Sequence, residues 1–405
     1  MILESVIEQV IEQQAERIRS YKGSYKRTPF KEKKDISSHA FIISGVRQCG
    51  KSTFMMQLMS KTPKKSAFYL NFETPLLYGF SMNDFSRLDN IIRSKKAVML
   101  FFDEIQIIDG WEIFIREKLD EGYKVIITGS NASLLSQELG TKLTGRHISR
   151  ELFPFSYTEY LGFHKDKASE ISLGSYMDTG GFPEYNKIND KELLSTLFDD
   201  IIIRDIVARY SVKDIKGLQR LAVFLFSNIG NRITASKLKQ PLSVKATSTI
   251  MTWFSHLEMA YLVFFIPQFS HSSKARLINP RKVYCIDIAM ADMVTATTTK
   301  DAGRKLENIV FLHLRQHYKE LFYFDENGEC DFVAIKNGDA EKLVQVCYKL
   351  NADNIDREVK GLIKAMNFFN KNEATIVTFS QSDHITEGKM EINVVPAYKY
   401  LLAEE

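Results

Sequence analysis

The most specific chemistry in this sequence lies in eight consecutive residues, Gly45-Val46-Arg47-Gln48-Cys49-Gly50-Lys51-Ser52. Their spacing is Gly-x-x-x-x-Gly-Lys-Ser. The two glycines let a backbone turn tightly and bring successive N–H groups against phosphate oxygens. Lys51 offers a point charge to β- and γ-phosphates, and the Ser52 hydroxyl is a ligand for Mg²⁺. Such a loop needs a strand before it and a helix after it. The apolar run Phe41-Ile42-Ile43 leads in, and Thr53-Phe54-Met55-Met56-Gln57-Leu58 leads out with helical character. That helix, opening at Thr53, would set the positive end of its dipole beneath the phosphates. ATP with Mg²⁺ is the expected ligand.

A second cluster completes the chemistry. Ala97-Val98-Met99-Leu100-Phe101-Phe102 is continuously apolar and runs into Asp103-Glu104. A strand buried on both faces reads this way, and ligands of open α/β sheets bind at the carboxyl ends of strands. Asp103 is placed to hold Mg²⁺, directly or through water, and Glu104 to orient and deprotonate an attacking water. Lys124-Val125-Ile126-Ile127-Thr128 predicts a further strand that ends in Gly129-Ser130-Asn131. Ser130 and Asn131 can reach a γ-phosphate or its attacking water, and both residue types also cap helices well. Arg146 follows an expected helix over 132–140 and precedes a strand over 147–153. From there it could reach a neighbouring subunit's nucleotide, giving self-association through Arg146, or it could form an ion pair within its own chain.

The elements that must position these groups belong to a long chain. Its 405 residues exceed one compact core. Hydrophobic content of 44% and charged content of 26% fit a globular protein, and a net charge of +4 selects no partner. The four cysteines form no Cys-x-x-Cys pair, which argues against zinc and a disulfide framework. No apolar run approaches a membrane span and no signal peptide is evident, so a cytoplasmic protein without membrane contact is expected. Residues 2–19 carry apolar positions at helical spacing. A basic stretch with interleaved aromatics, from Arg17 to Lys34, reads first as a solvated connector and second as a grip for nucleic acid.

The sequence resembles the prokaryotic AAA-superfamily P-loop ATPases that carry a C-terminal restriction-endonuclease-like domain of unknown function. The stretches that carry the resemblance are GVRQCGKST, YLNFE, LFFDEIQ, ITGSNA, LTGRH, ELFPFSYTEY, GGFPEYN, DIIIRDIVARY, LENIVFLHLR, ECDFVAIK and QVCYKL. It implies ATP binding and hydrolysis, and no particular substrate. The expected fold class is α/β: a parallel-sheet P-loop ATPase core, a helical lid, a winged helix and a nuclease-like α/β domain. The boundaries read as 1–37 for the helix and connector, 38–155 for the core, 156–211 for the lid, 212–290 for the winged helix and 291–405 for the last domain.

In such ATPases a helical lid supplies a sensing arginine, for which Arg204 and Arg209 are candidates beside an Asp205-linked ion pair. In the winged helix, a third helix over 245–260 and a wing loop with Lys274, Arg276 and Arg281 are the candidate contacts for double-stranded DNA. Packing between domains is the other use of such a module. Nucleases of the restriction type place an acid on a helix, an Asp at a strand end, and Glu-x-Lys on the next strand. Glu307 and Asp331 match the first two. The third position reads Gln345-Val346-Cys347, so a metal-binding oxyanion and the lysine are both missing, with Lys349 one step further along. This predicts a degenerate site without nuclease activity. The favoured function is Mg²⁺-dependent ATP hydrolysis driving a switch in the C-terminal half. Its alternatives are a DNA-binding switch gated by ATP and an ATP-dependent nuclease.

Overall fold

The computed structural model describes residues 1–20, 25–27, 38–63, 66–132, 143, 145–295, 301–326 and 328–403. The chain forms two compact units, Met1–Leu152 and Phe153–Glu405.

The first unit is built on a five-stranded parallel sheet: β1 (Ala40–Ser44), β2 (Ala67–Asn71), β3 (Met99–Asp103), β4 (Lys124–Gly129) and β5 (His147–Glu151). Their spatial order is β2-β3-β4-β1-β5. Continuous apolar runs become strands here because helices cover both faces of the sheet. Phe102, Ile127 and Ile42 are fully buried, and Phe85, Phe114 and Trp111 from the flanking helices pack into the same core. Pairing aligns Asn71 with Asp103 and Phe102 with Ile127, so the polar strand ends gather at one edge. The N-terminal helix Glu4–Ser20 contributes Ile7, Val10 and Ile11 to this core. It is part of the unit, where the sequence suggested a separate segment. All of the helix expected over 132–140 except Ala132 lies outside the described residues.

The second unit opens with helices Tyr157–His164, Glu170–Thr179, Pro183–Ile188 and Glu192–Asp200. The Gly180-Gly181 break between them is held from a distance: Asp287 accepts a hydrogen bond from the Gly181 N–H at 2.7 Å. The last helix continues as a π-helical stretch, Ile201–Val207. Helices Ile215–Phe226, Ala235–Leu238 and Thr247–Met259 follow, with a three-stranded antiparallel sheet of β6 (Arg232–Ile233), β7 (Val263–Pro267) and β8 (Arg281–Cys285) in the order β6-β8-β7. The loop between β7 and β8 contains a short helix, Ser273–Ile278, that the sequence reading missed.

The last part is a six-stranded mixed sheet of β9 (Glu320–Asp325), β10 (Glu329–Lys336), β11 (Asp339–Val346), β12 (Glu373–Thr378), β13 (Asp383–Glu387) and β14 (Met390–Pro396). Helices Ala302–His317 and Ile355–Phe368 accompany it. Two of these boundaries bear on the candidate acids. The first of these helices begins at Ala302, capped by Asp301, so Glu307 sits beyond its first turn and does not open it. Strand β11 ends at Val346, before Cys347.

Candidate functional site

The phosphate loop is a strand-to-helix turn, as its spacing predicts. It leaves β1 at Ser44 and enters the helix Lys51–Ser60. Two left-handed residues shape it, Gln48 at φ 60° and Gly50 at φ 101°. Gly45 is needed for a second reason: a Cβ there would lie 2.1 Å from the Leu152 carbonyl oxygen. The Lys51 ammonium is buried and donates to the carbonyls of Gly45 and Val46, both at 3.1 Å. It also stands 3.5 Å from Glu104 Oε1. Arg47 pairs with Glu73 at 3.1 Å.

The two carboxylates at the end of β3 have different surroundings. Asp103 is fully buried and surrounded by donors. Its Oδ1 accepts from the Thr128 hydroxyl, and its Oδ2 from Tyr69 Oη at 3.0 Å and Asn71 Nδ2 at 3.2 Å. The Ser52 hydroxyl also bonds to it. Burial and the neighbouring Glu104 nevertheless push the Asp103 carboxyl above its usual range. For Glu104, burial also acts upward, but Lys51 first, then Gln106, Arg47 and the Ser130 N–H, outweigh it and hold the carboxyl low. Glu104 therefore stays ionised at neutral pH. Its backbone is left-handed, φ 55° and ψ 35°, a conformation costing of order 1 kcal/mol outside glycine. The oxygen donor set of Ser52 and Asp103 fits a hard cation such as Mg²⁺.

The remaining candidates separate. Ser130 and Asn131 are buried at the end of β4, beside the loop strand. Arg146 pairs with Asp120 of its own unit at 2.7 Å. Arg204 pairs with Asp200 at 3.2 Å, not with Asp205, and its side chain is 61% exposed. The stretch read as a solvated connector is not wholly so: Arg27 is buried, and its guanidinium donates to the Cys49 carbonyl inside the phosphate loop. Among the described residues all four cysteines are free and buried, and no helix is long and apolar enough to cross a membrane.

Comparison with known proteins bears on the first unit. Residues 37–161 match the family described as AAA domain, and residues 171–301 match a domain of unknown function, DUF8612. An uncharacterized protein of Methanocaldococcus jannaschii, MJ1544, is 34% identical over 402 residues, covering 92% of this chain and 90% of its own length. The chain belongs to the family of that protein. Its first unit is that of an AAA-type P-loop ATPase. An uncharacterized protein of Haemophilus influenzae is 30% identical over 331 residues, covering 76% of this chain and 82% of its own length. The solved structure of Aeropyrum pernix ORC1 in complex with DNA matches at 12% identity and a TM-score of 0.31, covering 72% of this chain and 92% of that one. At that score the likeness carries no weight.

In the second unit, the structure brings Glu307, Asp331 and Gln345 to one pocket of about 490 Å³. Asp331 Oδ2 accepts from the Val346 N–H at 2.9 Å, and Gln345 Nε2 donates to Glu358 at 2.6 Å. The sequence reading failed on the cation. Lys349 is exposed and does not line the pocket, and Cys347 packs in the apolar core below it. The cation is Lys282, from β8. Its buried ammonium lies 2.6 Å from Asp331 Oδ1, 3.2 Å from Glu329 Oε1 and 3.3 Å from Glu307 Oε1. Tyr284, two residues on, donates to the same Glu307 oxygen at 2.6 Å. Burial disfavours the charged lysine, but the three carboxylates, Asp331 foremost, hold it protonated. Burial and Asp331 push the Glu307 carboxyl up, against the pull of Lys282 and Tyr284.

Proposed function

We propose that this chain hydrolyses ATP with Mg²⁺ and couples its nucleotide state to the C-terminal half. The supporting observation is the meeting of Lys51, Ser52, Asp103 and Glu104 where the phosphate loop faces the end of β3. Lys51 and the loop N–H groups would cradle the β- and γ-phosphates. Ser52 and Asp103 would hold Mg²⁺, which when bound draws charge from the phosphate oxygens. Glu104, kept ionised beside Lys51, would take a proton from water. The water oxygen then bonds to the γ-phosphorus. The bond from that phosphorus to the β–γ bridging oxygen breaks, and its electron pair leaves with ADP. Ser130 and Asn131 are the candidate sensors of the γ-phosphate, and Arg146 would act on a neighbouring subunit only by leaving Asp120.

In the second unit, the three helices and the antiparallel sheet of β6–β8 support a winged-helix reading, and the six-stranded sheet supports a nuclease-like one. Lys282 turns the second domain's acids into an ion-pair network, which favours binding or assembly over cleavage. The test is ATP turnover by the wild-type chain and by Lys51→Ala, with and without duplex DNA. Turnover by the wild type, with at least a ~100-fold loss in the variant, is expected. Equal turnover by the two proteins would refute the nucleotide assignment.

A further inference from the structure

The turn that follows β3 holds a group that the assignment above leaves unused. Left-handed Glu104 is followed by a single 3-10 turn, Ile105–Ile107, whose Ile105 is buried in the core and fixes it. This reversal folds the side chain of Gln106 back onto the carboxylate two residues before it. Gln106 Nε2 donates to Glu104 Oε2. The opposite orientation of the amide would set its oxygen against a carboxylate oxygen, so the hydrogen bond fixes the assignment. Lys51 faces the other oxygen, Oε1, at 3.5 Å. Glu104 is thus held at both oxygens.

The amide then has its own oxygen left over. Gln106 Oε1 is buried and has no hydrogen-bond partner among the described residues. A buried acceptor without a donor costs about 1–3 kcal/mol, so such a group needs an explanation. Only a donor satisfies it, and it belongs to the same side chain that holds Glu104. A water attacking phosphorus has two hydrogens to place: one goes to the base, and the other needs an acceptor close to that base.

We propose that Gln106 is a catalytic residue of ATP hydrolysis: its Oε1 accepts the second hydrogen of the attacking water while its Nε2 fixes Glu104. The assignment rests on the reading of the first unit as a hydrolase. Gln106 touches the water, not the nucleotide, so it acts on the chemical step and not on ATP binding.

The experiment compares steady-state ATP turnover in the full chain for wild type, Gln106→Leu, Gln106→Asn, Glu104→Gln and the double variant Glu104→Gln/Gln106→Leu. Leucine keeps the bulk and removes both polar atoms; asparagine keeps the amide but is one methylene short, and stands in if leucine prevents folding. The expected result for either is a fall in kcat of roughly 10- to 100-fold, the lower end of general-base effects, with KM for ATP within about threefold. In the Glu104→Gln background, Gln106→Leu has no further effect, since the two groups act on one water.

A purely packing role would add to the Glu104 effect. Unchanged kcat, a change confined to KM, or additivity in the double variant each overturns the proposal. A wild-type chain that binds ATP without turning it over overturns the hydrolase reading and this inference with it. Turnover by wild type, lost in Lys51→Ala yet intact in the Gln106 variants, overturns this inference alone.

Discussion

Replacing Lys282 by Met is the sharpest test of how the second unit is held together. The lysine side chain is 4% exposed, and its two most buried partners, Asp331 and Glu307, are 7% and 14% exposed. Methionine fills the space of the aliphatic stem, so the change removes a charge and leaves little cavity. Two carboxylates then face each other in a site that water barely enters. Removing one partner of a buried ion pair costs about 3–5 kcal/mol. Glu329, 46% exposed, adds little because solvent screens it. At about 2–4 °C per kcal/mol for a unit of this size, the transition of the second unit should fall by roughly 6–20 °C.

The assay is thermal unfolding of the full chain by circular dichroism, with and without ATP. The two units need not melt together, and the transition that ATP raises belongs to the first. The mutation should move the other. Changing Glu307 to Gln in the same chain removes one of the two stranded charges, and Lys282→Met/Glu307→Gln should recover about half of the loss. A Lys282→Met melt within about 2 °C of wild type would refute the reasoning. So would a double variant no more stable than the single one, since the penalty would then not be electrostatic.

Three further outcomes are expected. Glu104→Gln should still bind ATP with Mg²⁺ but hydrolyse it at least ~100-fold more slowly, whereas Asp103→Asn should weaken the Mg²⁺ dependence of binding; equilibrium binding titrations separate the two, and identical loss of binding would show the division of roles to be wrong. Gel assays with single- and double-stranded DNA should show no cleavage with Mg²⁺ or Mn²⁺, with or without ATP, and Asp331→Asn should leave ATP turnover unchanged; cleavage that Asp331→Asn abolishes would make the pocket a nuclease. Burial, with His317 and Lys342 adding to it, lowers His313 to about 3. The unfolded chain therefore takes a proton below pH ~6.5 that the folded chain refuses, and stability falls as pH drops from 6.5 toward 3, by about 2 kcal/mol at pH 5; denaturant melts of His313→Phe at pH 7 and pH 5 should lack that part of the loss.

The ATPase half was legible because its signals are local. The spacing of Gly45, Gly50, Lys51 and Ser52 lies within one turn of chain, and Asp103-Glu104 directly ends its strand. The donors around Asp103 were not legible. Tyr69, Asn71 and Thr128 reach it through strand pairing, and nothing in β2 or β4 alone announces the order β2-β3-β4. Gln106 differs. It stands two residues from Glu104, inside a stretch already picked out as Asp-Glu-Ile-Gln, and a local signal was present. What was missing was the left-handed turn at Glu104, without which a side chain two residues on would point away.

Lys282 shows the limit most clearly. Its partners lie 25 and 49 residues away, and on the sequence it stands beside Arg281, in a stretch read as a basic wing suited to phosphate. Folded, it faces inward and is used up by three carboxylates. Of the wing's other cations, Lys274 is exposed and Arg276 lies over the Phe322 ring, 5.9 Å from its centre. Lys282 therefore adds nothing to the positive surface of this segment, because a charge attracts a phosphate only if the fold has not already neutralised it. The same contact explains why the acids on Glu307 and Asp331 mislead in the other direction. Two carboxylates at nuclease spacing argue for a metal only when no protein cation stands between them, and here β8, from outside the six-stranded sheet, supplies one.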